Sequence, residues 1–489
     1  MDEEPAAESA AEAPPPRLAD EVHWYTEHTA LVISTLKWSL FGAVAGLCTG
    51  FGTRAFLWSL AASDAAVRTL LGPRVEPSWL LPLALPACVL LARRFAPSAG
   101  GEGVEAVIQA VHEKSGHINW KVAPVKLLGT VLTLAFGGSV GKEGPCAQIG
   151  AAITSMFSDV LRLNDTDRRR LVICGIGGGF AAVFGTPISG ALFGIEVLYL
   201  GHLEYAVLFP CLVSGIVAHL VCGVRPPVPA FHHALAGIGR PQMFILSIVF
   251  GMAFGLIALV LIESMRAAQK GLRRFAGHPY LVAFGGGVAL AALYALAGTS
   301  YGGLGTETIE AALAGSTAIA ALAFLYKIVS TTVSLETGGS GGIVTPLFFI
   351  GTTSGAVLAR LCHLPIGEFA AFGFVSLVGA AANTPVAAAV MAIEILPGEV
   401  GVYAALAAGT AFLMVGHRSV HASQKIGLSK SAGLDVPMEG PIGDLTLSGL
   451  HVRKGSLTEK ALSLGHRRAT PRAGDDPAAG ASGRGRDRD

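Results

Sequence analysis

Residues 126–150 read KLLGTVLTLAFGGSVGKEGPCAQIG, and residues 327–351 read KIVSTTVSLETGGSGGIVTPLFFIG. Both fit one frame, K-x3-T-x3-L-x2-GGS-x-G-x3-P-x3-IG, and the second copy starts 201 residues after the first. A second pair follows in the same order: TPISGALFGIEVL from Thr186 and TPVAAAVMAIEIL from Thr384, 198 residues apart. Two motifs recurring in one order at nearly one offset mark an internal duplication. Half-chain repeats are how many transporters build a site at the bilayer midplane, between two similar halves. The sequence leaves open whether the halves are parallel or inverted.

The composition fits that reading. Of 489 residues, 52% are hydrophobic and 14% charged, with a mean hydropathy of +0.57. Ordinary soluble domains carry about 25% charge, and a bilayer crossing needs about 20 apolar residues, so many spans fit. The 63 glycines suit helices packed backbone to backbone. A net charge of +1 gives no reason to expect nucleic acid as a partner. Seven cysteines (48, 88, 146, 174, 211, 222 and 362) sit in apolar or Gly-rich stretches and read as small core residues.

Residues 1–28 are read as a disordered, acidic, Pro/Ala-rich tail without a signal-peptide pattern. The first half of the membrane domain is expected over 29–223, a Pro-rich linker over 224–240, the second half over 241–426, and a polar, largely disordered tail over 427–489. Apolar segments fall at about 29–62, 77–95, 122–136, 148–160, 170–183, 187–200, 205–223, 241–264, 279–298, 318–335, 343–361, 367–380, 385–397 and 401–416. Several are too short to cross and are bounded by Gly or Pro, the pattern of broken or re-entrant helices around an enclosed cavity. Arg93-Arg94, Arg168-Arg169-Arg170 and the run from Arg266 to Arg274 are candidate cytoplasmic anchors. The protein is expected in the cell membrane, multi-pass, with both termini cytoplasmic.

In each repeat a Gly-rich turn precedes a Pro: Gly141-Lys142-Glu143-Gly144-Pro145 and Gly342-Ile343-Val344-Thr345-Pro346. Pro belongs in the first turn of a helix, and the residues around it offer unpaired N–H groups and a positive dipole end. Two such ends aimed at one spot make an anion site that binds weakly enough to let the ion leave. Glu143 is an acid among those donors. Either it caps its own helix, or its carboxylate occupies the anion site and leaves on protonation; the cost of an intramembrane acid favours the second.

These motifs resemble the CLC family of chloride channels and chloride/proton exchangers. Residues 141–145 look like its G-[KR]-E-G-P motif, residues 342–346 resemble its G-x-F-x-P motif, and residues 185–197 are similar to its N-x-P-x-x-G-x-L-F-x-x-E helix. The resemblance covers about 30–425. It implies an all-α integral membrane protein with two inverted half-repeats of tilted and re-entrant helices, a homodimer with one pore per subunit, and Glu143 as the gate.

Departures from the pattern matter as much. The family's G-S-G-I-P appears as Gly101-Glu102-Gly103-Val104-Glu105, which puts Glu102 where the anion-coordinating Ser would be and Glu105 where the Pro would be. Val344 replaces the Phe of G-x-F-x-P. His421 is the positional match for the inner-gate Tyr, with an ordinary interfacial histidine as the alternative. The position implied for the internal proton glutamate, directly after Glu196, is Val197, a lost proton waypoint that favours a channel over an exchanger. The C-terminal CBS pair of many members does not follow.

Other features read as structural. His112-Glu113 with His117 has the wrong spacing for zinc, and the glycines at 175 and 177–179 lack the context of a nucleotide loop. Glu196 and Glu394 are repeat-related, and hydrogen bonding to a neighbouring helix end is as good a reading of them as an ion role. Lys126 and Lys327 are read as structural or interfacial. The expected function is a chloride or small-anion channel. A chloride/proton antiporter is the alternative, and an organic-anion transporter is more distant. No enzyme activity, cofactor or metal is expected; the partners are the anion, the bilayer and a second copy.

Overall fold

The computed structural model describes residues 24–72, 74–224, 238–445, 449–460 and 462. Sixteen α-helices lie among them, eight on each side of the undescribed stretch 225–237. The first eight are α1 (Trp24–Leu71), α2 (Leu81–Phe95), α3 (Gly103–Glu113), α4 (Val122–Ala135), α5 (Glu143–Val160), α6 (Asp165–Phe184), α7 (Pro187–Glu196) and α8 (Leu208–Cys222). The second eight repeat the order: α9 (Arg240–Leu272), α10 (Pro279–Ala297), α11 (Thr306–Leu313), α12 (Ala323–Glu336), α13 (Val344–Leu361), α14 (Ile366–Ala381), α15 (Pro385–Ile395) and α16 (Gly398–Met414).

The halves pack by the same rules. α1 lies on α8 as α9 lies on α16, and α5 on α6 as α13 on α14. Across the halves, counterparts meet each other: α2 packs on α10 and α7 on α15. Hydrogen bonds show the same two-fold relation. Ser139 N donates to Ser334 Oγ at 2.9 Å, and Ser340 N donates to Thr133 Oγ1 at 3.0 Å, each member of one pair being the repeat equivalent of the other. At the centre Gly141 and Gly342 pair antiparallel, exchanging N–H···O bonds of 2.6 and 2.8 Å. Equivalent residues run in opposite directions, so the halves are inverted.

Six helical stretches among the described residues are long and apolar enough to cross a membrane: 26–71, 77–95, 205–222, 240–275, 279–297 and 344–361. Exposed Leu31, Val32, Leu36 and Leu40 on α1 present an apolar face outward, where lipid replaces water as the solvent. α13 is different, being buried along nearly its whole length although it is only 18 residues long. A helix of that kind is enclosed by protein rather than by lipid.

Close packing rests on paired glycines. A Cβ on Gly351 would lie 2.0 Å from Gly373 O, and one on the equivalent Gly150 would lie 2.4 Å from Gly175 O. Small residues let helix backbones approach in membranes. Gly351→Ala must push α13 from α14, at a cost of about 1–3 kcal/mol. The expected result is a fall of several degrees in thermal unfolding in detergent; an unchanged midpoint would refute this packing argument.

Several expectations change. α3 and α11 were not among the apolar segments, because they are short and carry Glu105, Glu113, Glu307 and Glu310. Residues 24–28, expected in the tail, form the start of α1; residues 1–23 lie outside the described residues. Of the expected linker, 225–237 also lies outside them, and residue 240 already begins α9. Of the stretch after 427, read as tail, the described residues 428–445 and 449–460 fold back instead, and 463–489 lie outside the described residues. β2 (Lys425–Ile426) pairs parallel with β1 (Tyr199–Leu200), β3 (Leu434–Asp435) pairs antiparallel with β4 (His451–Val452), and Ile442 packs with Leu200 and Ile426. Arg168 is no solvent anchor: it is buried against Asp159 and Ser155 O. Cys362 is exposed rather than core.

Candidate anion site

Three Gly-rich turns converge where α3, α5 and α13 begin. Residues 101–103 bond to Gly341 (Gly103 N to Gly341 O and Gly341 N to Gly101 O, both 3.2 Å), while Gly342 pairs with Gly141. Side chains are excluded from this knot. A Cβ on Gly103 would meet Gly144 O at 2.5 Å, and one on Gly342 would meet Gly144 N at 2.6 Å. Gly137 and Gly338 supply the left-handed turns, φ +86° and +120°, that bring each helix start inward.

Glu143 begins α5 and is fully buried. It does not cap its own helix. Its carboxylate crosses to the other half and accepts the Thr345 backbone N–H at Oε2 (3.1 Å) and the Thr345 hydroxyl at Oε1. Thr345 is the second residue of α13, so the acid is seated on the unpaired donors and positive dipole end of the counterpart helix. The repeat equivalent of Glu143 is Val344, also buried, so one half brings a charge and the other only donors.

Glu102 sits beside α3. Its Oε2 caps that helix by accepting Glu105 N at 2.6 Å, and lies 3.5 Å from His421 Nδ1. Its Oε1 faces the spot a Gly144 Cβ would fill, at 2.8 Å from it. Glu105 Oε1 accepts from Ser423 N (2.9 Å) and Ser423 Oγ (2.6 Å). Gly101 O is held by Lys126 Nζ at 2.6 Å; equivalently, Lys327 Nζ holds Gly303 O (2.8 Å) and Tyr301 O (3.2 Å). Both lysines are wholly buried and brace the turns that carry α3 and α11; neither is interfacial.

The structure thus brings together Gly101, Glu102, Gly103, Gly141, Glu143, Gly144, Pro145, Gly342, Ile343, Val344 and Thr345, with His421 against their edge. Lys142 is the N-cap residue of α5. Val197 ends α7, buried, with its carbonyl accepting from Gln424 Nε2 at 3.0 Å. Glu196 accepts from Val386 N and Ala387 N, while Glu394 accepts from Ile188 N and Ser189 N, at 2.8–3.0 Å. Each caps the start of the helix that carries its counterpart, the helix-end reading of this pair.

The hydroxyl of Thr345 and the buried Gln424, which also bonds Asn383 and Ala382 O, went unnoticed as side-chain participants. Their partners come from other helices, so no local pattern announces them. Chemically, the arrangement offers helix-end donors to one monovalent anion-like group, now supplied by Glu143.

Comparison with known proteins agrees. Residues 83–416 match the family described as "Voltage gated chloride channel". A "Chloride/fluoride channel protein" of Pseudomonas syringae pv. tomato is 36% identical, over 88% of this chain and 94% of its own. The "H(+)/Cl(-) exchange transporter ClcA" of Salmonella arizonae is 30% identical, over 73% and 80%. A solved "CLC-type fluoride/proton antiporter" superposes with TM-score 0.74 at 27% identity, over 83% of this chain and all of its own. A slow cyanobacterial Cl-/H+ antiporter shares the fold, with TM-score 0.65 at 21% identity over 77% and 94%. With its inverted repeats, its glycine-knotted turns and its carboxylate on the counterpart helix end, the chain belongs to the CLC family and is a membrane anion transporter.

Proposed function

We propose that the protein exchanges a small halide, chloride or fluoride, against protons across the cell membrane. The observation that carries this reading is the Glu143 carboxylate seated on Thr345 N and Oγ1. One set of helix-end donors serves either that carboxylate or a passing anion. A proton on Glu143 removes the charge that holds it there, so proton binding frees the site for the anion. Linkage is reciprocal: the proton raises the site's affinity for the anion and the anion raises that of Glu143 for the proton, so the two ions are coupled at one site. The names of the Salmonella relative and of the fluoride/proton antiporter support the same direction.

This revises the channel expected from Val197. That residue lacks a titratable group, but it excludes only one proton route. Passive conduction remains the second reading, favoured by Val197 and by the name of the Pseudomonas relative. An organic anion is disfavoured by the glycine-packed turns, which leave little room for a large ligand. The backbone of 101–103, 141–145 and 342–345 frames the anion path, with a second copy of the chain as homodimeric partner and both termini cytoplasmic.

The test is a reversal potential measured on purified protein in planar bilayers under an imposed pH gradient. Exchange displaces it from the anion's Nernst value in proportion to that gradient. A potential that stays on the Nernst value whatever the pH gradient refutes exchange. Parallel efflux assays with chloride and fluoride identify the halide.

A further inference from the structure

We infer that His421 and Glu102 form a proton-transfer pair feeding Glu143, in place of the waypoint missing at Val197, with Glu105 on its outer side. The inference rests on the exchange reading. Three observations carry it. The His421 ring has no solvent exposure, its Nε2 has no hydrogen-bond partner among the described residues, and its Nδ1 faces Glu102 without a well-formed hydrogen bond. Buried polar groups are nearly always paired, so an unsatisfied imidazole in a membrane protein's interior needs a reason. Nδ1 lies 3.5 Å from Glu102 Oε2, a small side-chain rotation from hydrogen-bonding distance. Glu102 Oε1 and Glu105 Oε2 are likewise buried without partners among the described residues, so both acids keep free acceptor capacity.

The groups facing this cluster are few. Glu102 and Glu105 come from α3, and His421 interacts electrostatically with both. Lys126 of α4 also faces Glu102, with its ammonium held on Gly101 O. Ser423 fixes the other oxygen of Glu105, which like Glu102 is partly buried, whereas His421 is fully buried. On the inner side, Glu102 Oε1 abuts Gly144, the residue that follows Glu143. Only a glycine fits at 144, where a Cβ would lie 2.8 Å from Glu102 Oε1, and Glu143 is its neighbour in the chain.

The transfer balances without any co-reactant. A proton taken up at Nε2 makes an imidazolium; the Nδ1–H bond breaks as an O–H bond forms at Glu102, leaving a neutral ring. Glu102 then passes the proton to Glu143 when that carboxylate has left Thr345, and regains its charge. Histidine is the side chain whose ordinary titration range suits such a relay.

The experiment counts protons moved per anion for the full chain in proteoliposomes, with halide and pH electrodes reading together. Glu102→Gln and His421→Asn are each expected to lower the ratio at least about tenfold while anions still move. Glu102→Asp keeps a titratable group and must retain coupling. A coupled wild type with an equally coupled His421→Asn overturns the pair and leaves exchange standing. Equal loss in Glu102→Asp and Glu102→Gln also overturns it, by making the role of Glu102 merely structural. An uncoupled wild type overturns the exchange reading, and the pair with it.

Discussion

Glu143→Gln is expected to abolish proton movement through the protein, by at least about a hundredfold, and to make anion flux insensitive to pH. The amide keeps the size of the side chain and stays neutral at every pH. It therefore competes for the Thr345 donors far less well than a carboxylate, because a charged acceptor makes hydrogen bonds roughly twice as strong as a neutral one. On the proposed reading that difference holds the wild-type site closed and a proton releases it, so wild-type anion flux is expected to rise on acidification. In the variant the site is open at all pH values and there is no proton to carry. Paired halide and pH electrodes on proteoliposomes measure both effects. A variant whose anion flux keeps the wild-type pH dependence shows that another group is the gate.

That argument draws on both what was legible in the sequence and what was not. The repeat frame marked the two helix starts by Pro145 and Pro346, and the structure begins those helices two residues earlier, at Glu143 and Val344. The acid among the donors was equally visible. Which donors it takes was not, because Thr345 belongs to the other half and only the antiparallel Gly141–Gly342 pairing brings it within reach. The same holds for the inversion of the repeats: a matching frame gives equivalence, whereas direction needs the Ser139–Ser334 and Ser340–Thr133 bonds. α3 escaped notice because its charge masked a helical pattern in which Val104, Val107, Ile108 and Val111 are buried. The meeting of Glu102 with His421 spans more than 300 residues and has no local signature at all. Equivalence, caps and breaks are local or repeated properties; contacts between halves are neither.

Replacing Glu102 with Ser is the sharpest test of what an acid does at the mouth of an anion path. In the wild type its carboxylate caps α3 through Glu105 N, and its second oxygen faces Gly144, beside the donors an anion would use. A fixed negative charge there raises the energy of any anion passing the knot. Serine is also a good N-cap residue, so Glu102→Ser retains the bond to Glu105 N and removes only the charge and the reach toward His421. Relief of about 1.4 kcal/mol of repulsion raises anion flux near neutral pH about tenfold. The increase carries no protons, since the variant has lost one member of the relay, so protons per anion fall as flux rises. Halide efflux from proteoliposomes at several pH values, with anion affinity measured by calorimetry, reads both terms. Unchanged flux with unchanged affinity would mean that the Glu102 charge is fully balanced by His421 and Lys126 and that the anion does not feel it.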